Sequence, residues 1–225
     1  MKTRRHEHVR TTLITSLALA GIVATLAGCK SSPYEKANQA AENIQATADQ
    51  IAGLPVQIDK TLASLNNIVD KPQADLRPQF KEFSSSLEDL HSTGKDITAA
   101  RQTMADRWKE VLAKWDEQVA QIKSEDIKAR SEARKKEVAD KLQAVKTDYA
   151  EAEVAAKPFM NKLRDIEKSL SIDLTPAGVA GLKDSVARIN AEAEPLKKSI
   201  LKVADDFKAL GLSMSSVAPA PQPAK

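Results

Sequence analysis

This chain is poor in the residues from which compact mixed α/β enzymes are built. Only 7 of its 225 residues are glycine and 4% are aromatic, so tight turns, phosphate-cradling loops and a large aromatic core are all undersupplied. One cysteine excludes a disulfide within the monomer. Of three histidines, only His91 lies beyond the first 28 residues, with no second imidazole or thiolate to build an ordinary transition-metal site. Glu88-Asp89-Leu90-His91 holds one Glu-x-x-His spacing, but a di-iron bundle needs two. Neither a Gly-x-Ser-x-Gly elbow nor a nucleophile with a plausible base is present. The carboxylate pairs Glu88-Asp89 and Asp205-Asp206 read as solvated helix faces. The expectation is therefore a non-enzyme: no catalytic residue, no metal, no cofactor and no small-molecule substrate.

What the chain does have is charge, at 29% of residues, in an Ala/Leu/Lys/Glu-rich background typical of long helices. The formal charge of +3 belongs to the N-terminus. Residues 1–28 contain Lys2, Arg4, Arg5 and Arg10 against Glu7, and their removal leaves 30 basic and 30 acidic residues. A neutral remainder gives no electrostatic case for a nucleic-acid partner.

Residues 1–28 read as a lipoprotein signal peptide. A basic segment, 1–10, precedes an apolar run at 13–24 that is too short to anchor as a membrane span. Arg4-Arg5 suggests twin-arginine export, but His6 and Glu7 stand where hydrophobic residues normally follow, so general secretion fits better. Leu26-Ala27-Gly28-Cys29 resembles the lipobox of bacterial lipoproteins. The resemblance implies cleavage before Cys29 and covalent diacylglycerol and acyl lipid on its thiol, the one lipid group expected. Each buried acyl CH₂ contributes about 0.8 kcal/mol, and several chains together anchor firmly. By the sorting rule of double-membrane bacteria, the absence of Asp after Cys29 implies the periplasmic face of the outer membrane rather than the inner.

Beyond a short lipidated linker at 29–33, apolar residues recur in unbroken 4-3 alternation, the heptad signature of helices facing neighbours. The first line runs from Ala37 through Ile44, Ile51 and Leu65 to Val69. Phase continues across Pro55, which predicts a kink rather than a loop. The second runs from Leu76 through Phe83, Ile97 and Trp108 to Gln118 and Ile122. A third runs from Val138 through Tyr149 and Phe159 to Leu170. Thr175-Pro176 marks a helix start, and the fourth line runs from Val179 to Leu210, with a second kink expected at Pro195. Gly211 reads as a helix stop, leaving 211–225 as a disordered Pro/Ala tail.

These lines predict an all-α fold: an elongated antiparallel four-helix coiled-coil bundle over 34–210, with a longer central hairpin of helices 2 and 3. A 3.5-residue repeat implies left-handed supercoiling, and the longest helix would reach ~70 Å. A turn near 124–125 sets Leu90 opposite Phe159. The outer helices, roughly ten residues shorter, leave a two-helix tip. Ten of the fifteen residues in 123–137 are charged. Lys128, Arg130, Arg134, Lys135 and Lys136 are candidate tip contacts, although a mixed-sign run usually marks a solvated surface. Trp108 and Trp115 read as core filling by periodicity, with a binding cage near the tip as the other reading.

Trp115 with Asp116-Glu117 and Ile122, then Ile127-Lys128-Ala129-Arg130-Ser131, Pro158-Phe159 and the 170–174 approach to the last helix carry a resemblance. Residues 33 to about 210 resemble an uncharacterised family of bacterial envelope lipoproteins, catalogued as domain of unknown function twenty-nine fifty-nine. Pro195 departs from its pattern. The family implies a helical lipoprotein and no known activity. Lys225 is similar to the terminal lysine by which a small helical lipoprotein is joined to peptidoglycan. The expected role is thus structural, a tether or scaffold bound to membrane through Cys29, with an envelope protein or peptidoglycan as partner. The alternative is a chaperone-like or curvature-sensing binding module that uses the tip.

Overall fold

The heptad lines become helices. The computed structural model describes residues 33–215, which fall in a single unit. They form α1 (Pro33–Asp70), α2 (Arg77–Val119), α3 (Glu125–Ile172), the short α4 (Pro176–Gly181) and α5 (Lys183–Met214). Among the described residues there is no strand. The tail from 216 onward lies outside them.

Nearly every expected seam position is buried or half-buried. Ile44, Leu65, Phe83, Leu163 and Leu170 are sealed from solvent, and full burial of such a side chain contributes about 1.5–3 kcal/mol. The line on α2 slips at its end, where Gln118 is exposed and Val119 is buried instead. On α1 a second stripe, including Ala40, Thr47, Thr61 and Ile68, is also buried. The reason is position: α1 packs along both α2 and α5, so it must bury two faces. α3 packs on α5 and more sparsely on α2.

Cross-helix contacts fix the register. Thr61 Oγ1 donates to the Ser86 carbonyl at 3.1 Å. Asn66 and Asn190 exchange amide hydrogen bonds of 3.1 and 2.8 Å between α1 and α5. Lys197 meets Asp59 at 2.7 Å. Thr98 lies 3.3 Å from the Tyr149 hydroxyl, and Trp115 reaches Ser131. These last two pairs shift α2 against α3 by about two to three residues from the expected level of Leu90 with Phe159. Arg101 sits 4.8 Å from the centre of the Tyr149 ring, so this polar seam position is occupied by a cation–π contact.

Buried glutamine closes the end of α1. Gln79 Nε2 donates to the carbonyls of Asn67 and Lys71 at 2.8 and 3.0 Å, and its Oε1 accepts from Gln73 N–H at 3.0 Å. It satisfies backbone groups that a helix terminus leaves orphaned.

Prolines interrupt no helix: α1 continues through Pro55, α3 through Pro158 and α5 through Pro195. The expected single last helix is instead two. Thr175 caps α4 as expected, accepting from Gly178 N–H at 3.1 Å. The chain then tightens at Leu182, whose N–H bonds to the Val179 carbonyl at 3.1 Å, an i−3 bond of the kind found where helices end. Nor does Gly211 stop α5, which runs on to Met214. An added Cβ there would lie 2.8 Å from Gln45 Cγ and 3.2 Å from the Ala41 carbonyl oxygen. Gly211 is a close-approach residue that lets α5 lie against α1, not a cap.

Candidate functional site

The chemistry-bearing residues gather where α2 gives way to α3. Helix α2 ends at Val119 and α3 begins at Glu125, so the turn spans 120–124, slightly before the expected position. Ser124 takes the extended backbone of an N-cap, and its hydroxyl donates to the Asp126 carboxylate rather than accepting from backbone. That bond, with the Ile127 N–H, lowers the Asp126 pKa. Glu125 and Asp126 place negative charge in the first turn of α3, where it complements the helix dipole.

The five expected tip cations do not act as one patch. Arg134 is spent internally, bonding Glu137 at 2.6 Å and the Ser213 carbonyl at 2.5 Å, which ties α3 to the end of α5. Lys135 pairs with Asp116 across the hairpin, and Lys136 pairs with Asp140 one turn on. Lys141, then Arg134, hydrogen-bond Glu137 and hold its carboxyl down at about 2. Lys128 and Arg130 make no ion pair among the described residues. Three of the five candidates are thus spent in ion pairs within the helix surface, and Lys128 and Arg130 are not.

Sequence periodicity missed a groove at this end. A cavity of about 740 Å³ opens between the first turns of α1 and the last turns of α2, reaching Ser131 on α3. Its apolar lining is Ala37, Ala40, Val111, Trp115, Val119 and Ile122. Trp115 is only half-buried, and its indole N–H donates to Ser131 Oγ at 2.9 Å, so the ring is fixed in place. Trp108, by contrast, is 3% exposed, and its Nε1 has no acceptor. The two tryptophans therefore divide: Trp108 is core, and Trp115 faces open space. A smaller cavity of about 250 Å³ adjoins, touching both rings and the end of α5. The signal for the groove was the end of α2, which runs past the start of α1 at Pro33 to Val119 and so leaves its last seam positions short of a neighbour.

His91 Nδ1 lies 3.8 Å from Glu88, within one helix. Among the described residues, no three His, Cys, Asp or Glu side chains group to hold a metal ion, and no helix is long and apolar enough to cross a membrane. Leu26, Ala27, Gly28 and Cys29 lie outside the described residues.

Among known proteins, the family model described as a protein of unknown function, DUF2959, matches residues 28–209. Neither a curated protein nor a solved structure matches.

Proposed function

Because this chain belongs to the DUF2959 family of proteins of unknown function, we propose its role from its own residues: a lipoprotein of the bacterial cell envelope with a structural, tethering or scaffold role and no catalysis. Cys29 carries the lipid and holds the protein at the periplasmic face of the outer membrane. The chain then forms an elongated antiparallel four-helix coiled coil, with α4 and α5 together as the fourth arm and the longer α2–α3 hairpin projecting at one end. An envelope protein or peptidoglycan is the partner such a tether joins to the membrane.

One observation carries this reading. Leu26-Ala27-Gly28-Cys29 ends four residues before Pro33, where a continuous helix of 38 residues begins. An anchor so close to a stiff element positions the element, since four extended residues span at most ~14 Å. The neutral charge balance after Gly28 and the heptad lines support a scaffold over an enzyme or a nucleic-acid binder. The test is fractionation of cells making wild type and Cys29→Ala. Wild type is expected in the outer-membrane fraction and Cys29→Ala outside it; identical fractionation overturns the proposal.

A second reading, a chaperone-like or curvature-sensing module working through the hairpin tip, has one observation in its favour. The apolar groove beside Trp115 is open, whereas a pure scaffold needs none. Cross-linking in cells from Lys128 or Lys135 separates the two: a partner enriched over a control on the far end of the bundle favours the module.

A further inference from the structure

We infer that the groove between the start of α1 and the end of α2 seats one acyl chain of an anionic phospholipid, drawn from the leaflet that holds Cys29. This rests on the proposal that Cys29 is lipidated. The cavity of about 740 Å³ lies within the ~300–1,000 Å³ usual for single small ligands, enough for one chain and not for a folded partner. Its apolar lining is aliphatic apart from Trp115, whose indole N–H is held by Ser131. Its rim carries Lys36, Arg107 and Lys114 against Glu110. Lys114 is paired with Glu117, while Lys36 and Arg107 make no ion pair among the described residues. An apolar lining beside two unpaired cations, which outnumber the one unpaired carboxylate, Glu110, complements a molecule with an apolar tail and an anionic head.

Position agrees with chemistry. Lys36 to Ala40 lie in the first turns of α1, at 1.5 Å rise per residue, and Lys36 is seven residues after Cys29 in the sequence. The groove therefore stays within ~25 Å of the lipidated residue along the chain.

The test uses the full lipidated protein in a Trp108→Phe background, so that Trp115 is the only fluorophore of its kind. Protein is reconstituted into vesicles of phosphatidylglycerol or phosphatidylcholine whose acyl chains carry bromine, a contact quencher. Brominated phosphatidylglycerol is expected to remove roughly half or more of the Trp115 emission relative to unbrominated lipid. Ala113→Phe, from an exposed position on the groove wall, is expected to abolish that quenching with helicity unchanged. Lys36→Gln with Arg107→Gln, both exposed, is expected to erase the preference for phosphatidylglycerol over phosphatidylcholine. Quenching that persists in Ala113→Phe overturns the inference. So does equal quenching by both lipids in the unsubstituted rim. Release of the groove to lipid only on deleting 216–225 would assign it to the C-terminal segment, and a dimer lost in Ala113→Phe would assign it to a second copy; both overturn it. Vesicle flotation, read in parallel, reports the anchor alone: protein that floats yet is not quenched refutes the groove and leaves the lipoprotein reading standing.

Discussion

Gly211 and Gly94 make a matched pair whose alanine variants are expected to move stability in opposite directions. Both sit inside helices, where glycine costs about 1 kcal/mol relative to alanine. At Gly94 an added Cβ meets nothing within 4 Å, so Gly94→Ala recovers that helix preference, about 1 kcal/mol of added stability. At Gly211 the same methyl meets Gln45 Cγ at 2.8 Å, the Ala41 carbonyl oxygen at 3.2 Å and Ile44 Cγ2 at 3.3 Å. The side chain of Gln45 is able to rotate, but Ala41 oxygen is backbone, so α5 must move off α1. Overpacking of this kind costs about 1–3 kcal/mol, which outweighs the helix gain and leaves Gly211→Ala destabilised by about 1 kcal/mol. Urea unfolding followed by helical circular dichroism reads both. For a chain of this size about 2 kcal/mol between the variants corresponds to roughly 4–8 °C in melting temperature. If Gly211→Ala is stabilised as much as Gly94→Ala, Gly211 is an ordinary helix glycine and the close approach of α5 to α1 is wrong.

Other perturbations probe separate parts. Gln79→Leu strands the Lys71 carbonyl and the Gln73 N–H and leaves the Asn67 carbonyl with only the Lys71 N–H, and is expected to cost about 1–3 kcal/mol by urea unfolding. Glu137, usually titrating near 4.5, is held at about 2 by Lys141 and Arg134. A depressed carboxylate contributes stability that is full above 4.5 and is lost as pH falls through about 2. NMR titration of its carboxyl carbon should show that low midpoint in wild type and a rise toward 4.5 in Lys141→Met. Phe83→Ala, at a fully buried position of α2, is expected to cost about 3–5 kcal/mol, whereas Val56→Ala, an exposed apolar residue of α1, should change stability little.

The sequence exposed the helices because a 3.5-residue repeat survives polar interruption. The third line is the clearest case: its positions from Val138 through Tyr149, Phe159 and Leu163 to Leu170 are buried in α3. Periodicity states which way a side chain points but not whether a neighbour stands there, and so Trp115 read like Trp108. Only the relative ends of α1 and α2 leave one ring against open space. Buried Thr61, Ser64, Gln79 and Ser86 escaped for a related reason. Thr61, Ser64 and Gln79 each spend their side chains in hydrogen bonds, and a polar residue name carries no sign of that. Gly211 misled because a glycine after a periodic run fits a stop and a close approach equally, and only the facing helix decides between them. The break at Leu182 lay in a stretch with two glycines, Gly178 and Gly181, whose weak helix preference a long apolar line concealed.

The basic tip was legible as composition and not as charge. Composition singled out Lys128, Arg130, Arg134, Lys135 and Lys136 as five candidates, but pairing depends on helical spacing and on the facing arm of the hairpin. Arg134 and Lys136 find partners along α3, and Lys135 finds Asp116 across it. Exposed pairs of this kind contribute little stability each, yet they remove three of the five cations from any interaction surface.

Mass spectrometry of the N-terminal peptide of the protein recovered from membranes tests the central claim most directly. The expected peptide starts at Cys29, carries diacylglycerol on its sulfur, and is preceded by none of residues 1–28. Recovery of a peptide that retains residues 1–28, or one with an unmodified Cys29 thiol, would contradict the lipid anchor and the tethering role proposed from it.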